Sequence, residues 1–93
     1  MSKQAVPTRL IDNERVRVTE WRFPVGAATG HHRHEYDYVV VPIATGKLKL
    51  VERDGERLFD LVHGKPYFRG EGVEHDVMNA SDHEVAFIEV EIK

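Results

Sequence analysis

Short apolar segments, interrupted by turn residues at nearly regular intervals, constrain the fold of this 93-residue chain most strongly. Each is rich in β-branched or aromatic residues or alternates between apolar and polar side chains: 15–23, 38–41, 47–53, 57–62, 67–69, 73–78 and 85–92. The dipeptide Asp54-Gly55 is a strong hairpin signal. No segment sustains the apolar period of roughly 3.6 residues that marks a helix. The sequence therefore predicts an all-β protein, either a sandwich or a barrel.

Length and composition favour one domain spanning residues 1–93, because a chain of this size can bury one hydrophobic core but not two. The absence of cysteine excludes disulfides and zinc fingers, which leaves imidazole and oxygen as metal ligands. The formal net charge is −3 and the basic residues are scattered, so nucleic acid is not an expected partner. No apolar run reaches the length of a signal peptide or a membrane span. We therefore expect a cytoplasmic protein that acts away from membranes.

Residues 31–34 read His-His-Arg-His and contain half of a candidate metal site. Successive side chains of a strand point to opposite faces, so His32 and His34 share one face. A third histidine, His75, follows about forty residues later. Spaced glycines flank both segments, together with one asparagine: Gly26 and Gly46 around the first, Gly64, Gly72 and Asn79 around the second. The spacing predicts that His32, His34 and His75 converge on one ion.

The remaining histidines and Asn79 receive structural interpretations. His31 should face away from His32, and His63 and His83 stand beside turns without flanking partners, so all three are expected at the surface. Asn79 precedes Ala-Ser-Asp and is more typical of a turn than of a metal ligand.

The two spaced sets resemble the two motifs of the cupins. The first motif, glycine, five residues, His-x-His and a closing glycine, is matched by Gly26, His32, His34 and Gly46. The second is matched by Gly64, Gly72, His75 and Asn79, with Gly70 where proline is usual, which loosens the turn before His75. The resemblance covers about residues 10–92 and is nearest to small cupins that read H-R-H-E-x-D-Y-V-V-V-P, some associated with β-alanine catabolism. It implies a double-stranded β-helix, or jelly-roll barrel.

The sequence departs from the cupin pattern at the carboxylate ligand. Counting three or four residues on from His34 reaches Tyr38 or Val39, neither of which is an acid. Strict alternation places Tyr38 on the face of the histidines, whereas Asp37 turns inward only through a bulge. We favour a three-histidine site, with Asp37 open as a fourth ligand and Glu89 or Glu91 as further alternatives. Such ligands suit one divalent transition metal ion: iron, zinc, nickel or copper.

Tyr38, Tyr67 and Arg69 are the candidate substrate-binding residues. If Tyr67 and Arg69 face the barrel interior, Arg69 can bind a carboxylate bidentately while Tyr38 or Tyr67 donates a hydrogen bond. The alternative places Arg69 outside the barrel, solvated or at a subunit contact. Three functions stay open: an enzyme, dioxygenase-like or Lewis-acid, acting on a small polar, carboxylated molecule; a module that binds a metabolite or metal without turnover; and a barrel without metal.

A homodimer is expected. A barrel this small has few core residues for its surface, and the strands at 15–23 and 85–92 leave Trp21, Phe23 or Phe87 in need of cover from a second subunit. The resemblance implies the same, since small cupins commonly pair through their sheets.

Overall fold

The computed structural model describes residues 3–93, among which it contains β-strands and no helix. The strands are β1 (Val6–Asp12), β2 (Val16–Phe23), β3 (His32–Arg33), β4 (Asp37–Pro42), β5 (Gly46–Glu52), β6 (Gly55–Leu61), β7 (Tyr67–Arg69), β8 (Glu74–Asn79) and β9 (Val85–Ile92). The all-β prediction is confirmed. Met1 and Ser2, which belong to the predicted domain, lie outside the described residues. Within the described part of the chain, no helix is long and apolar enough to cross a membrane.

Two antiparallel sheets face each other. One has the strand order β1-β2-β9-β4-β7 and the other the order β3-β8-β5-β6. Their facing sides bury the apolar core, whose members include Phe23, Val40, Leu48, Leu50, Leu61, Val77, Val85 and Phe87. The Asp54-Gly55 hairpin joins β5 to β6, and Gly55 takes a φ of 122°, a left-handed conformation that glycine adopts without strain.

Alternation along each strand decides which side chains face inward. In β4, Tyr38 and Val40 are buried while Asp37 is exposed. In β5, Leu48 and Leu50 are buried, while Lys47 and Lys49, which alternate with them, are more exposed. These patterns follow the two-residue period of a strand that has one face on a core.

Strand β9 turns its acidic face inward. The even positions of the strand carry its apolar residues Ala86, Ile88, Val90 and Ile92, a pattern that favours this face for the core, and Glu89 or Glu91 on the opposite face were only further alternatives as ligands. In the structure, Phe87, Glu89 and Glu91 are buried, whereas Ile92 is 47% exposed. The reason lies in the environment of the strand, because β9 is central between β2 and β4 and its odd positions face a cavity whose lining includes histidines, arginines and tyrosines.

Candidate metal centre

The three histidines come together at one end of the space between the sheets. His32 of β3 and His75 of β8 are directly opposite each other in an antiparallel pair, and His34 follows β3 on the same face as His32. The Nε2 atoms of His32 and His34 are 3.1 Å apart, as are those of His34 and His75. Two nitrogens about 2.1 Å from one ion and about 90° apart lie about 3.0 Å from each other, so the spacing suits a shared ion.

The other ring nitrogen of each histidine has a different neighbour. Nδ1 of His32 lies 2.9 Å from the carbonyl oxygen of Gly30, which only accepts, so Nδ1 carries the proton and Nε2 presents a lone pair to the cluster. Nδ1 of His34 faces Oε1 of Glu89 at 4.0 Å. Nδ1 of His75 is buried and has no hydrogen-bond partner among the described residues.

Burial keeps two of these rings neutral. Loss of hydration, with a smaller effect from His32, lowers the pKa of His34 to about 4 and that of His75 to about 3. Both imidazoles are therefore unprotonated at neutral pH, which is the form that binds a metal ion. A cluster of three imidazole nitrogen donors, free of cysteine, fits iron(II), zinc, nickel or copper better than magnesium or calcium.

Tyr38 lies against the histidines, on the face that strand alternation predicts. Its ring stacks on that of His34, with centroids 3.9 Å apart and planes 19° apart. The side chain is 2% exposed, and its hydroxyl has no hydrogen-bond partner among the described residues. Burial raises the pKa of Tyr38 above its ordinary value, so the hydroxyl keeps its proton and can donate it in a hydrogen bond.

Arg69 and Tyr67 also line the cavity. Arg69 lies opposite Tyr38 in the β4–β7 pair, and Tyr67 lies opposite Val40. Burial raises the pKa of Tyr67 to about 12. The Arg69 side chain is 20% exposed and donates from Nη2 to Oε2 of Glu52 at 3.0 Å. Of the two positions considered for Arg69 from the sequence, the structure places it inside.

Asp37 does not join the cluster. Its side chain is exposed, and Oδ1 accepts a hydrogen bond from the backbone N–H of Glu71 at 2.8 Å. The strand runs without a bulge from Asp37 to Pro42 in its pairing with β9, so nothing rotates Asp37 inward. The acids that line the cavity are Glu35, which is exposed, and the buried Glu89 and Glu91. Burial, with a smaller contribution from Glu91, raises the pKa of Glu89 to about 7.

The other singled-out residues lie outside the cluster. His31 is exposed and is 3.5 Å from Glu74, and His63 and His83 are exposed. Asn79 is buried and has a structural role: within its turn its side-chain amide donates to the carbonyl of His83 and its oxygen accepts from the backbone of Ser81. The same amide also donates to the carbonyl of Phe23 at the end of β2.

Sequence reasoning missed Glu52 and Arg17. Both belong to ion pairs at the cavity wall: Glu52 binds Arg69, and Arg17 binds Glu91 with two nitrogens. The residues of each pair are far apart in sequence, and no local pattern marks them. The only available signal was the pair of acids two residues apart in the apolar strand β9.

The cavity around the histidines has a volume of about 360 Å³ and lies between the two sheets. Its walls combine apolar residues with the histidines, arginines, tyrosines and acids described above. An apolar pocket with a few convergent polar groups is the usual form of a small-molecule site.

Comparison with known proteins agrees with this fold, although no protein-family model matches the sequence. The crystal structure of a cupin domain from Bordetella pertussis Tohama I superposes with a TM-score of 0.98 at 56% identity, covering 100% of this chain and 97% of that one. An RmlC-like cupin with a double-stranded β-helix fold from Methanocaldococcus jannaschii gives a TM-score of 0.80 at 18% identity, covering 98% and 82%. The chain belongs to the cupins.

A particular relative is similar along almost its whole length. The β-alanine degradation protein BauB of Pseudomonas aeruginosa is 60% identical over 90 residues, which cover 97% of this chain and 95% of that protein. The resemblance drawn from the two histidine motifs is confirmed.

Proposed function

We propose that this chain is a mononuclear metal-binding cupin that acts on a small carboxylated molecule, by dioxygen activation or by Lewis-acid catalysis. The observation that carries the proposal is the convergence of three Nε2 atoms, with neighbours 3.1 Å apart, at the wall of a cavity large enough for a small metabolite. The name of the BauB relative supports a role in β-alanine degradation, whose starting compound carries a carboxylate.

The donor set fits a divalent transition metal ion held by His32, His34 and His75. When bound, the ion would supply a positive charge and open coordination positions with which to polarise a carbonyl or bind dioxygen. Three neutral imidazoles do not compensate that charge. An anionic, chelating ligand is therefore favoured over a neutral one.

The residues around the cluster bind and orient the substrate. Arg69 supplies a positive charge on the same face as Tyr38, and the Tyr38 hydroxyl supplies a buried donor. The apolar wall, including Val40, Leu48 and Leu50, excludes water, which strengthens these polar interactions.

Metal analysis tests the proposal first. The protein would be purified without a histidine tag or added metal, and its metal content and affinity measured. We expect about one transition metal ion per chain, and a chain that takes up none would contradict the proposal. Oxygen consumption or product formation with short carboxylates then distinguishes catalysis from its alternative, a module that binds a metal or metabolite without turnover.

A further inference from the structure

The arginines that line the cavity differ in how much of their hydrogen-bonding capacity is already used; they are Arg9, Arg17, Arg33 and Arg69. Arg17 donates to both carboxylate oxygens of Glu91. Arg9 donates to Asp12 and Thr19 and is 49% exposed. Arg33 is exposed. The guanidinium of Arg17 is therefore occupied, and those of Arg9 and Arg33 are hydrated too well to bind an anion tightly.

Arg69 is both shielded from solvent and largely uncommitted. Its one side-chain hydrogen bond to the described residues runs from Nη2 to Glu52, which leaves Nε and Nη1 without a protein acceptor. A guanidinium in this state offers a planar fork that matches a carboxylate.

The Tyr38 hydroxyl is the second uncommitted donor, and it belongs to the residue directly opposite Arg69 in the β4–β7 pair. Residues directly opposite each other in an antiparallel pair have Cβ atoms about 5 Å apart, and Tyr38 and Arg69 are such a pair. A buried hydroxyl without a partner is unfavourable for the folded protein. An oxygen of a bound ligand would remove that penalty.

Glu52 fixes the position of Arg69 from the opposite sheet. It lies at the end of β5, whereas Arg69 lies on β7 of the other sheet, and its second oxygen accepts from Arg57. Hydrogen bonds from Arg57 and Arg69 hold the pKa of Glu52 below its usual range, so the carboxylate is ionised at neutral pH. Nη2 of the guanidinium is thus fixed by Glu52, while Nε and Nη1 stay free to bind a ligand.

We propose that Arg69 and Tyr38 together form a carboxylate-binding site in the cavity, and that Glu52 is the positioning residue that orients Arg69. The inference rests on the proposed function and makes its ligand specific: a short-chain carboxylate whose acid group binds Arg69 and Tyr38 while its other end reaches the three histidines. Discrimination between an acid and its uncharged amide is then set by Arg69, not by the metal ion alone.

Calorimetric titration of the zinc-loaded protein tests this assignment, because zinc has no redox chemistry and leaves the probe intact. The probes are 3-hydroxypropanoate and the uncharged 3-hydroxypropanamide. We expect the wild type to prefer the acid, and Arg69→Gln to weaken acid binding roughly 10- to 100-fold, as expected for loss of a charge-assisted hydrogen bond, with little effect on the amide. Arg69→Lys keeps the charge without the fork and should lose roughly tenfold.

Arg57→Gln is the matched control, because it removes the other arginine bound to Glu52 at a position outside the cavity wall. Acid binding should change less than about threefold. Tyr38→Phe should weaken acid binding about tenfold while the metal-free protein keeps its stability, since the lost hydroxyl had no partner. Glu52→Ala should reduce the preference for acid over amide, and Glu52→Gln, which can still accept from Arg69, should restore part of it.

Zinc affinity, measured in the same variants by chelator competition, separates the two proposals. If the wild type binds no zinc, the proposed function fails, and the carboxylate site is then judged by acid binding to the metal-free protein. If zinc binds but Arg69→Gln binds the acid like wild type, the carboxylate site is wrong and the metal site stands. The carboxylate site would also be wrong if Arg57→Gln and Arg69→Gln weakened acid binding equally, or if the wild type bound the acid no better than the amide.

Discussion

The three imidazoles differ in what contacts their second nitrogen. Gly30 accepts from Nδ1 of His32, and Glu89 lies near Nδ1 of His34. His75 has no such partner among the described residues, so its only polar contact there is through Nε2, toward the other two rings. A residue whose polar atoms serve only the cluster should affect metal binding more than any other property.

We therefore expect His75→Ala to reduce metal affinity by at least about 100-fold, because two imidazoles cannot fix the geometry of the ion. His32→Ala and His34→Ala should behave alike. The measurement is competition with a chelator of known affinity, together with thermal unfolding of the metal-free variants to confirm that they fold.

Two nearby substitutions serve as controls. His31→Ala removes an exposed imidazole next to the cluster in sequence, and Asp37→Asn removes a carboxylate that caps the backbone of Glu71. Neither should change metal affinity more than about threefold. A loss in Asp37→Asn as large as that in His34→Ala would mean that the carboxylate enters the ligand set.

Glu89 makes the stability of the metal-free protein depend on pH. Its pKa is about 7 in the folded chain against 4.5 as the ordinary value, so the unfolded chain ionises first as pH rises. The free energy of unfolding should therefore fall between about pH 4.5 and pH 7 and level off above that range. Glu89→Gln cannot ionise and should be more stable than wild type at pH 8, by about 3 kcal/mol, with the difference vanishing near pH 4.

Denaturant unfolding of both metal-free proteins at pH 4 and pH 8 measures this difference. Glu84→Gln, at an exposed site, controls for the loss of one negative charge. If wild type and Glu89→Gln differ in stability by the same amount at both pH values, the pKa of Glu89 is not higher in the folded chain than in the unfolded chain.

At the scale of elements, strands marked by alternation or by a run of β-branched and aromatic residues were predictable, and strands without such a pattern were not. The boundaries of β2, β4, β7 and β9 follow from runs of β-branched and aromatic residues that end at turns. Strand β1 was not predicted because all its residues are exposed and no alternation marks it. Strand β3 has two residues, too few for any period.

The same distinction applies to the candidate site. The histidines were found because their spacing lies within two short segments, and strand alternation in β4 placed Tyr38 and Asp37 on opposite faces. Alternation assigns residues to two faces, however, and does not say which of the faces lies inward. For β9 the choice depended on the strands beside it, so the inward position of Glu89 required the tertiary structure.

Gly46, at the start of β5, lies where the strand packs too closely against Val85 and Ser81 to leave room for a side chain. A Cβ at this position would lie 2.5 Å from Cγ1 of Val85 and 2.7 Å from Oγ of Ser81. Val85 is fully buried and cannot move freely. Gly46→Ala should therefore destabilise the protein by about 1–3 kcal/mol.

Gly70→Ala is the matched control, because the nearest atom to its added Cβ, Oδ1 of Asp37, lies at an ordinary contact distance of 3.8 Å. Its stability should change by less than about 1 kcal/mol. Thermal or denaturant unfolding measures the stability of both variants. Equal changes in Gly46→Ala and Gly70→Ala would show that β5 can move away from Val85 of β9 without loss of stability.

At the scale of the whole molecule, the outer side of the five-stranded sheet carries an apolar row. Strand register places one apolar residue from each strand side by side, in the order Ile11, Val18, Val90, Val39 and Phe68. Phe68 is 60% exposed and Ile11 49%. The sequence argument for a dimer named Trp21, Phe23 or Phe87 instead, and this was wrong, because Phe23 and Phe87 are buried in the core and Trp21 packs against it.

We propose that two copies of the chain pair through this outer row. Val18 in the row is buried and Val39 and Val90 are half-buried, so the exposed apolar area lies mainly at its two ends, at Ile11 and Phe68. A two-fold axis on the sheet would place each row against its counterpart and cover these two ends. The expected species is a dimer of about twice 10.7 kDa in sedimentation velocity at micromolar concentration. Phe68→Asp should shift it to monomer, because a carboxylate at the pairing surface would be buried without a partner.

Leu58→Asp is the control for that shift. Leu58 is 62% exposed, like Phe68, but lies on β6 of the other sheet, so the same replacement of an exposed apolar side chain by a carboxylate should leave the dimer intact. Both variants should keep the wild-type unfolding profile of the individual chain and its metal affinity, since neither residue lines the cavity. Dissociation by Leu58→Asp and not by Phe68→Asp would move the interface to the four-stranded sheet, and a wild type that sediments only at 10.7 kDa would exclude a dimer at that concentration.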